Sequence, residues 1–402
     1  MRSSRLVLVV VLGLGISLGI GPGSDLGLGA PASAAAGAQR VELAGKVTAS
    51  RTVLAQRRVG EARYIAISDL FYRDRAAVVE VLDLTTRSVI QVAAKRALFE
   101  RRFGVSRGGS VAIPQGDVVV YRDGVVGLAL ASAPVISPRR YWYAELDART
   151  GKLLRVADLA ALRDGEQLEV IGADADGGAA WFAITRIGAR GRALVLRRLD
   201  LGSLDQQDEQ RIELAARAEG SGHEHAVRVH AAADFSRFAI VEYVEDGVGM
   251  APGHVYVADP VAGSSFTVAA PSAAYGVAFS ADGRYIYVGS AQRGTIARID
   301  VAAGRIDKQV AGPRFLHHLV ISPSGKKLFA LASSSSYAVY DLPDLQARSD
   351  ATHPAGLSAA MAELHGNGIA SLDGAYFVAP EAEDPRKPHT DDRGYLIARL
   401  IE

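Results

Sequence analysis

The chain has 402 residues, 49% of them hydrophobic and 22% charged, a globular balance that excludes disorder along the whole length. Its 45 Lys and Arg against 44 Asp and Glu leave a formal charge of +1, too even for the basic field a nucleic-acid binder needs. Cysteine is absent, which removes disulfides, thiol nucleophiles, zinc ribbons, iron–sulfur clusters and thioether-attached haem.

The first 36 residues read as a targeting segment. Arg2 and Arg5 precede an uncharged apolar run from Leu6 to Ile20, and Ala32-Ser33-Ala34 supplies a small-residue cleavage site. The run is interrupted by glycine and falls short of the roughly 20 residues that cross a bilayer. The expectation is an exported protein, secreted or periplasmic, that starts near Ala35 and carries no transmembrane segment after cleavage. Residues 37–402 then form one domain.

From Val41 onward the chain alternates short apolar runs with tight turns. Between them sits a recurring Asp that closes an apolar strand: Asp83, Asp147, Asp200, Asp259, Asp300 and Asp341. The last two intervals are 41 residues each, the compact length of four short strands. Gly151, Gly263 and Gly304 each follow such an Asp by four residues, so the carboxylate caps backbone N–H groups while glycine takes the left-handed position. This is turn chemistry, and it assigns these carboxylates no catalytic role.

A second signature, Ser-x-x-Gly between two apolar runs, appears at Ser280, Ser322 and Ser371. Two signatures per unit make a four-stranded blade, and a ring of such blades is an all-β propeller. Six Asp marks give six blades. The segments Gly368 to Ala379 and Tyr395 to Glu402 give three strands of a seventh, whose missing strand is expected from Val41 to Val47, so that both ends of the chain close the ring. Seven is the count; six or eight stay open because residues 94–167 are poorly periodic.

The tandem units Tyr275 to Val310 and Phe315 to Ala347 resemble the YVTN-type repeats of bacterial seven-bladed propellers. The shared pattern is an apolar strand, S-x-D-G or S-P-x-G, then R/K-x-I/L-Y/F-V/A, then a strand ending in Asp. The group is similar to surface-layer, lactonase-like and haem-d1-domain propellers. The resemblance implies the fold over about 80 residues and leaves function open, because one scaffold hosts binding, hydrolysis and redox chemistry.

In a propeller the connections entering the innermost strands share one face with those joining second to third strands. Long connections on that face are expected at Gly127 to Arg140, Val244 to His254 and Pro380 to Gly394. Residues placed at the starts of innermost strands are Arg101, Glu169, Val227 beside His225, Tyr275, His317 beside His318, and Gly366 beside His365. The ligand-binding candidates are His225, Tyr275, His317, His318 and His365. Imidazoles from separate blades suit a transition metal or haem iron, with His225, His317 and His365 as ligands; the bland reading is a wet polar lining. A hydrolytic site would use Glu169 as base, His317 as proton shuttle and Arg101 as anion clamp. The acidic run Glu381, Glu383, Asp384, Asp391 and Asp392 lacks the ordered pattern of a strong Ca²⁺ loop. His223 to His230 departs from H-E-x-x-H and lies in strand context, and Trp142 and Trp181 are expected to pack between blades.

The sequence therefore points to a monomeric, non-enzymatic exported propeller without a cofactor, binding a protein or glycan partner through its long-loop face. The competing reading is a small-molecule enzyme, lactonase-like or metal-dependent, at the channel mouth.

Overall fold

The computed structural model describes residues 41–49, 57–107, 110–132, 138–188, 191–214, 224–245, 250–269, 274–290, 294–314, 316–332, 337–348, 369–371, 373–380 and 393–401. The first strand, β1 (Val41–Ala49), precedes a blade made of β2 (Arg57–Arg58), β3 (Tyr64–Ala66), β4 (Phe71–Arg73), β5 (Ala76–Asp83) and β6 (Ser88–Lys95). Here β3 and β4 are two halves of one interrupted strand, both paired with β5. Helix α1 (Arg96–Phe103) and a small hairpin, β7 (Val105–Arg107) with β8 (Ser110–Ala112), lead to blade 2.

Blade 2 comprises β9 (Gln115–Arg122), β10 (Val125–Ala131), β11 (Arg139–Asp147) and β12 (Leu153–Leu162); blade 3 comprises β13 (Gln167–Ala173), β14 (Ala179–Gly188), β15 (Gly191–Asp200) and β16 (Gln206–Glu213). Blade 4 holds β17 (Glu224–Ala231), β18 (Phe238–Glu245), β19 (Met250–Asp259) and β20 (Ser264–Ala269). Blade 5 holds β21 (Ala274–Phe279), β22 (Tyr285–Ser290), β23 (Thr295–Asp300) and β24 (Arg305–Ala311). Blade 6 is β25 (Leu316–Ile321), β26 (Lys327–Ala332), β27 (Tyr337–Asp341) and β28 (Gln346–Ala347). The seventh is β29 (Ile369–Ala370), β30 (Tyr376–Pro380), β31 (Arg393–Leu400) and, as its outermost strand, β1. The protein is a seven-bladed β-propeller of antiparallel sheets, and blades 2 to 6 each take four strands in chain order. β1 runs antiparallel to β31 from Val41 opposite Leu400 to Ala49 opposite Arg393, so the ring is closed by both ends as the missing strand required.

Its core is divided among the blade interfaces. Seven apolar clusters lie between successive blades, from Val79 with Leu128 at the first interface to Val47 and Ile397 with Ile65 at the closure. Strand alternation makes this work. On β26, Leu328 and Ala330 pack toward blade 5, whereas Phe329 and Leu331 pack toward blade 7. Both faces of the blade are buried, so its strands read as unbroken apolar runs rather than alternating ones. Trp181 stacks on Phe235 of the next blade, with ring centroids 6.1 Å apart, and Trp142 packs against Phe103 at 5.3 Å, as expected of inter-blade residues.

The turns behave as the sequence signatures predict. Ser280, Ser322 and Ser371 each accept the N–H five residues on through Oγ, at 2.8, 3.1 and 2.9 Å. Asp83, Asp147, Asp200, Asp259 and Asp300 each accept backbone N–H bonds in the turn that follows. Asp341 departs from the pattern and pairs with Lys327 and Arg348. Backbone hydrogen bonds to arginine staple neighbouring blades. Arg155 donates to the carbonyls of Leu201 and Gly202, Arg197 to that of Leu159 and Arg298 to that of Pro343, while Arg237 reaches the Gly283 carbonyl.

One placement is corrected. Arg101 does not open the innermost strand of blade 2, a position held by β9; it is an exposed residue of α1 whose Nε donates to the Ala97 carbonyl. The segment is helical because Phe99 and Phe103 recur at four-residue spacing and both are buried, while Arg96 pairs with Glu100 at 2.8 Å. This helix and its hairpin account for the poor periodicity of the region. The connections in blades 2 and 4 are also shorter than Gly127 to Arg140 and Val244 to His254, because β10 and β11, and β18 and β19, take up both ends of each.

Candidate functional site

The first strands of the blades contact one another and form the inner ring: β9 meets β13, and β21 meets β25. Their N-terminal ends share a face with the connections between second and third strands, and two regions of that face carry chemistry.

The first is the channel mouth on blades 4 to 6. In β21 the register against β22 skips at Tyr275, and in β25 the register against β26 skips at His317. Each is the extra residue of a bulge, a device that re-aims a side chain out of the ladder. The two bulged rings meet edge to face at 5.2 Å. Gly276 permits this approach, since a Cβ there would lie 3.0 Å from the Leu319 nitrogen and 3.2 Å from the His317 carbonyl. From blade 4, the Arg228 guanidinium lies over the Tyr275 ring, 4.6 Å from its centroid, a cation–π contact. Among the described residues no carboxylate pairs with Arg228, which is exposed.

His318 turns the other way. Its ring meets Phe377 of blade 7 at 5.0 Å, and its Nε2 is shut from solvent without a hydrogen-bond partner, although the residue as a whole is only half-buried. Burial pushes its pKa down to about 3, helped by the positive potential of His317, Arg228 and His230. The imidazole is neutral at pH 7.

The expected site residues thus fall into three groups. Tyr275, His317 and His318 come together. Glu169 lies half-buried on β13 of blade 3, and its register partner is Ala183 on β14. His225 lies on β17, as the strand reading of His223 to His230 requires, but its side chain is outside the described residues. His365, the acidic run Glu381 to Asp392, most of the long connections and the N-terminal segment to residue 40 are also outside them. Among the described residues no three His, Asp or Glu side chains are grouped to hold a metal ion, and no helix is long and apolar enough to cross a membrane. Arg228 was not singled out from the sequence. Its signal was the alternation in HAVRVH, which puts Arg228 and His230 on one side of the strand.

The second region is a cavity of about 670 Å³ over blades 1 to 3. Its walls come from the gap between β3 and β4, the start of β9, the ends of β10 and β11, and Leu168 and Val170 of β13. No sequence motif marked it. The trace it leaves is the pair Ser68-Asp69, which interrupts the apolar run from Tyr64 to Phe71.

No family model matches the chain, and no curated protein matches it. Among solved structures, 958 chains match. One, from the crystal structure of a mitotic checkpoint complex, is 13% identical, with a TM-score of 0.53 over 94% of this chain and 98% of that chain. At this identity the likeness shows the fold alone, and a fold matched so widely does not select a function.

Proposed function

We propose that the chain is exported after loss of its first 36 residues and acts as a non-enzymatic binding propeller, taking a protein or glycan partner on the face where the inner strands begin. The observation that carries this reading is the Arg228–Tyr275–His317 cluster at the channel mouth. Arg and Tyr are the residue types that dominate binding interfaces, and a guanidinium already ordered on an aromatic face loses little freedom on binding. With no carboxylate beside it among the described residues, Arg228 favours an acidic group on the partner. The solved chain of similar fold comes from a mitotic checkpoint complex.

The enzymatic reading needed Glu169, His317 and Arg101 in one place. Arg101 sits on α1 rather than at the start of an innermost strand, which supports the binding reading.

The experiment is cross-linking and mass spectrometry of the exported fraction with wild type, Arg228→Ala, and chains shortened in Val244 to His254 or Pro380 to Gly394. The expected result is one partner captured by wild type and lost or weakened about tenfold or more in each variant. Equal capture by all variants would overturn the reading. So would a stoichiometric transition metal in native protein that disappears in the His317→Ala, His365→Ala double variant.

A further inference from the structure

The inner strand of blade 4 places polar side chains where the strand beside it buries apolar ones. On β17 the alternation sends Val227 and Val229 into the cluster shared with blade 3, so Arg228 and His230 face blade 5. Their register partners on β18, Val241 and Ala239, belong to the apolar cluster between blades 4 and 5. Packing of that interface therefore calls for no guanidinium, and Arg228 is laid instead on the Tyr275 ring, 4.6 Å from its centroid.

The groups gathered at this mouth share one sign. His317 meets Tyr275 at 5.2 Å, and the His317 and His318 ring centroids are 6.5 Å apart. His317, Arg228 and His230 all act on His318 with positive potential, and no carboxylate acts on it with them. Collecting like charge destabilises a fold unless an opposite charge offsets it. Arg228 is exposed, is ordered by its aromatic contact and, among the described residues, pairs with no carboxylate. Its guanidinium is the permanent charge of the cluster.

That charge sets the chemistry of the ligand. One fixed cation suits one negative charge, and the planar fork of a guanidinium matches the two oxygens of a carboxylate in a bidentate pair. An acidic sugar presents the same group, but a sugar ring packs its apolar side on an aromatic face, and here Arg228 lies over the face of Tyr275. We infer that the channel mouth on blades 4 to 6 is a carboxylate site, taking an acidic side chain or the C-terminus of a protein on Arg228. The source of that carboxylate rests on the partner-binding reading above; the chemistry rests on the cluster.

Nuclear magnetic resonance of protein labelled with carbon-13 at histidine Cε1 reads the site directly, since the chain has nine histidines and the His317→Gln and His318→Gln variants identify their signals. The probes are N-acetylglycine, which carries a C-terminal carboxylate, its neutral analogue N-acetylglycinamide, methylphosphonate and glucuronate, all at one pH and ionic strength. N-acetylglycine is expected to move the His317 signal saturably at millimolar concentration and to bind about tenfold or more tightly than the amide. Arg228→Gln is expected to weaken it about tenfold or more, and Arg228→Lys, which keeps the charge and loses the fork, about threefold. Circular dichroism and thermal melting establish that both variants fold. The carboxylate site is overturned if the amide, methylphosphonate or glucuronate binds as well as N-acetylglycine, if N-acetylglycine gives no saturable shift, or if folded Arg228→Gln titrates like wild type. Titration of the site together with equal partner capture by every variant would refute the partner reading and leave the carboxylate site standing. Capture lost in Arg228→Ala without any titration would do the opposite.

Discussion

Replacing Arg155 by alanine tests whether the arginine staples hold the ring together. Arg155 on β12 lies opposite Glu145 on β11 and donates to both carboxylate oxygens, at 2.6 and 2.7 Å. The same guanidinium reaches the Leu201 and Gly202 carbonyls of blade 3, each at 2.6 Å. The Glu145 side chain is 4% exposed, so truncation leaves a buried carboxylate whose remaining side-chain partner in this cluster is the Tyr143 hydroxyl, at 3.0 Å. Breaking a buried pair by removing one member costs about 3–5 kcal/mol. Arg155 itself is 37% exposed, and water can replace part of what it donates, so the expected loss is near the lower end, about 3 kcal/mol. Combining Glu145→Gln with Arg155→Met removes the charge as well as the guanidinium and keeps an acceptor for Tyr143. It should cost less than the sum of the two single changes by about 1–2 kcal/mol. Urea unfolding followed by tryptophan fluorescence reports the relevant interface, because Trp142 and Trp181 stand in blades 2 and 3. An Arg155→Ala midpoint equivalent to less than about 0.5 kcal/mol of loss, or strictly additive single and double variants, would refute the staple argument.

Deleting Val41 to Ala49 should leave β31 without its partner and bare an edge along blade 7, so the expected outcome is concentration-dependent aggregation with a lowered melting temperature, read by light scattering and calorimetry. A soluble monomer of unchanged melting would contradict closure by β1. His318 supplies a pH test. Its folded pKa, about 3, is below that of an unfolded histidine, so the unfolded chain binds the extra proton as pH falls below about 6.5. Stability contributed by the neutral ring is present above that value and lost toward pH 3, by up to about 1.4 kcal/mol per pH unit. Urea midpoints between about pH 7 and pH 4 should fall less steeply in His318→Gln than in wild type; an identical slope would show that His318 does not carry this dependence.

How much of this was legible beforehand depends on the range of the interaction that decides it. The turns are local, and their residues announce them. Ser280 and Asp300 bond to N–H groups within five positions, so their spacing carries the signal and with it the blade repeat. Even here part of the pattern hides: every recurring Asp is followed four residues on by a left-handed residue, yet only Gly151, Gly263 and Gly304 show it, while Arg87, Leu204 and Leu345 adopt φ of 53°, 66° and 51°. An L-residue takes that region at a cost of roughly 1–2 kcal/mol, which the rest of the turn must offset, so sequence does not flag it. Helix α1 was missed for a different reason. Its Phe99 and Phe103 carry a helical period in only eight residues, too short to stand out from flanking strands until the packing against Tyr72 and Trp142 is known.

By itself the sequence determined the strand-turn repeat, the apolar runs that need burial on both faces, the missing strand and its donor at Val41 to Val47. Each follows from short-range hydrogen bonding or from hydrophobic pattern. Only the tertiary structure decided which blade each side of a strand meets, that Arg228 lies on Tyr275, and that Asp69, Asp117 and Arg139 line one cavity. Those juxtapositions join residues tens of positions apart through bulges, Tyr275, His317 and the Ser68–Leu70 detour among them, and a bulge changes a side chain's direction without altering the local composition that a sequence displays.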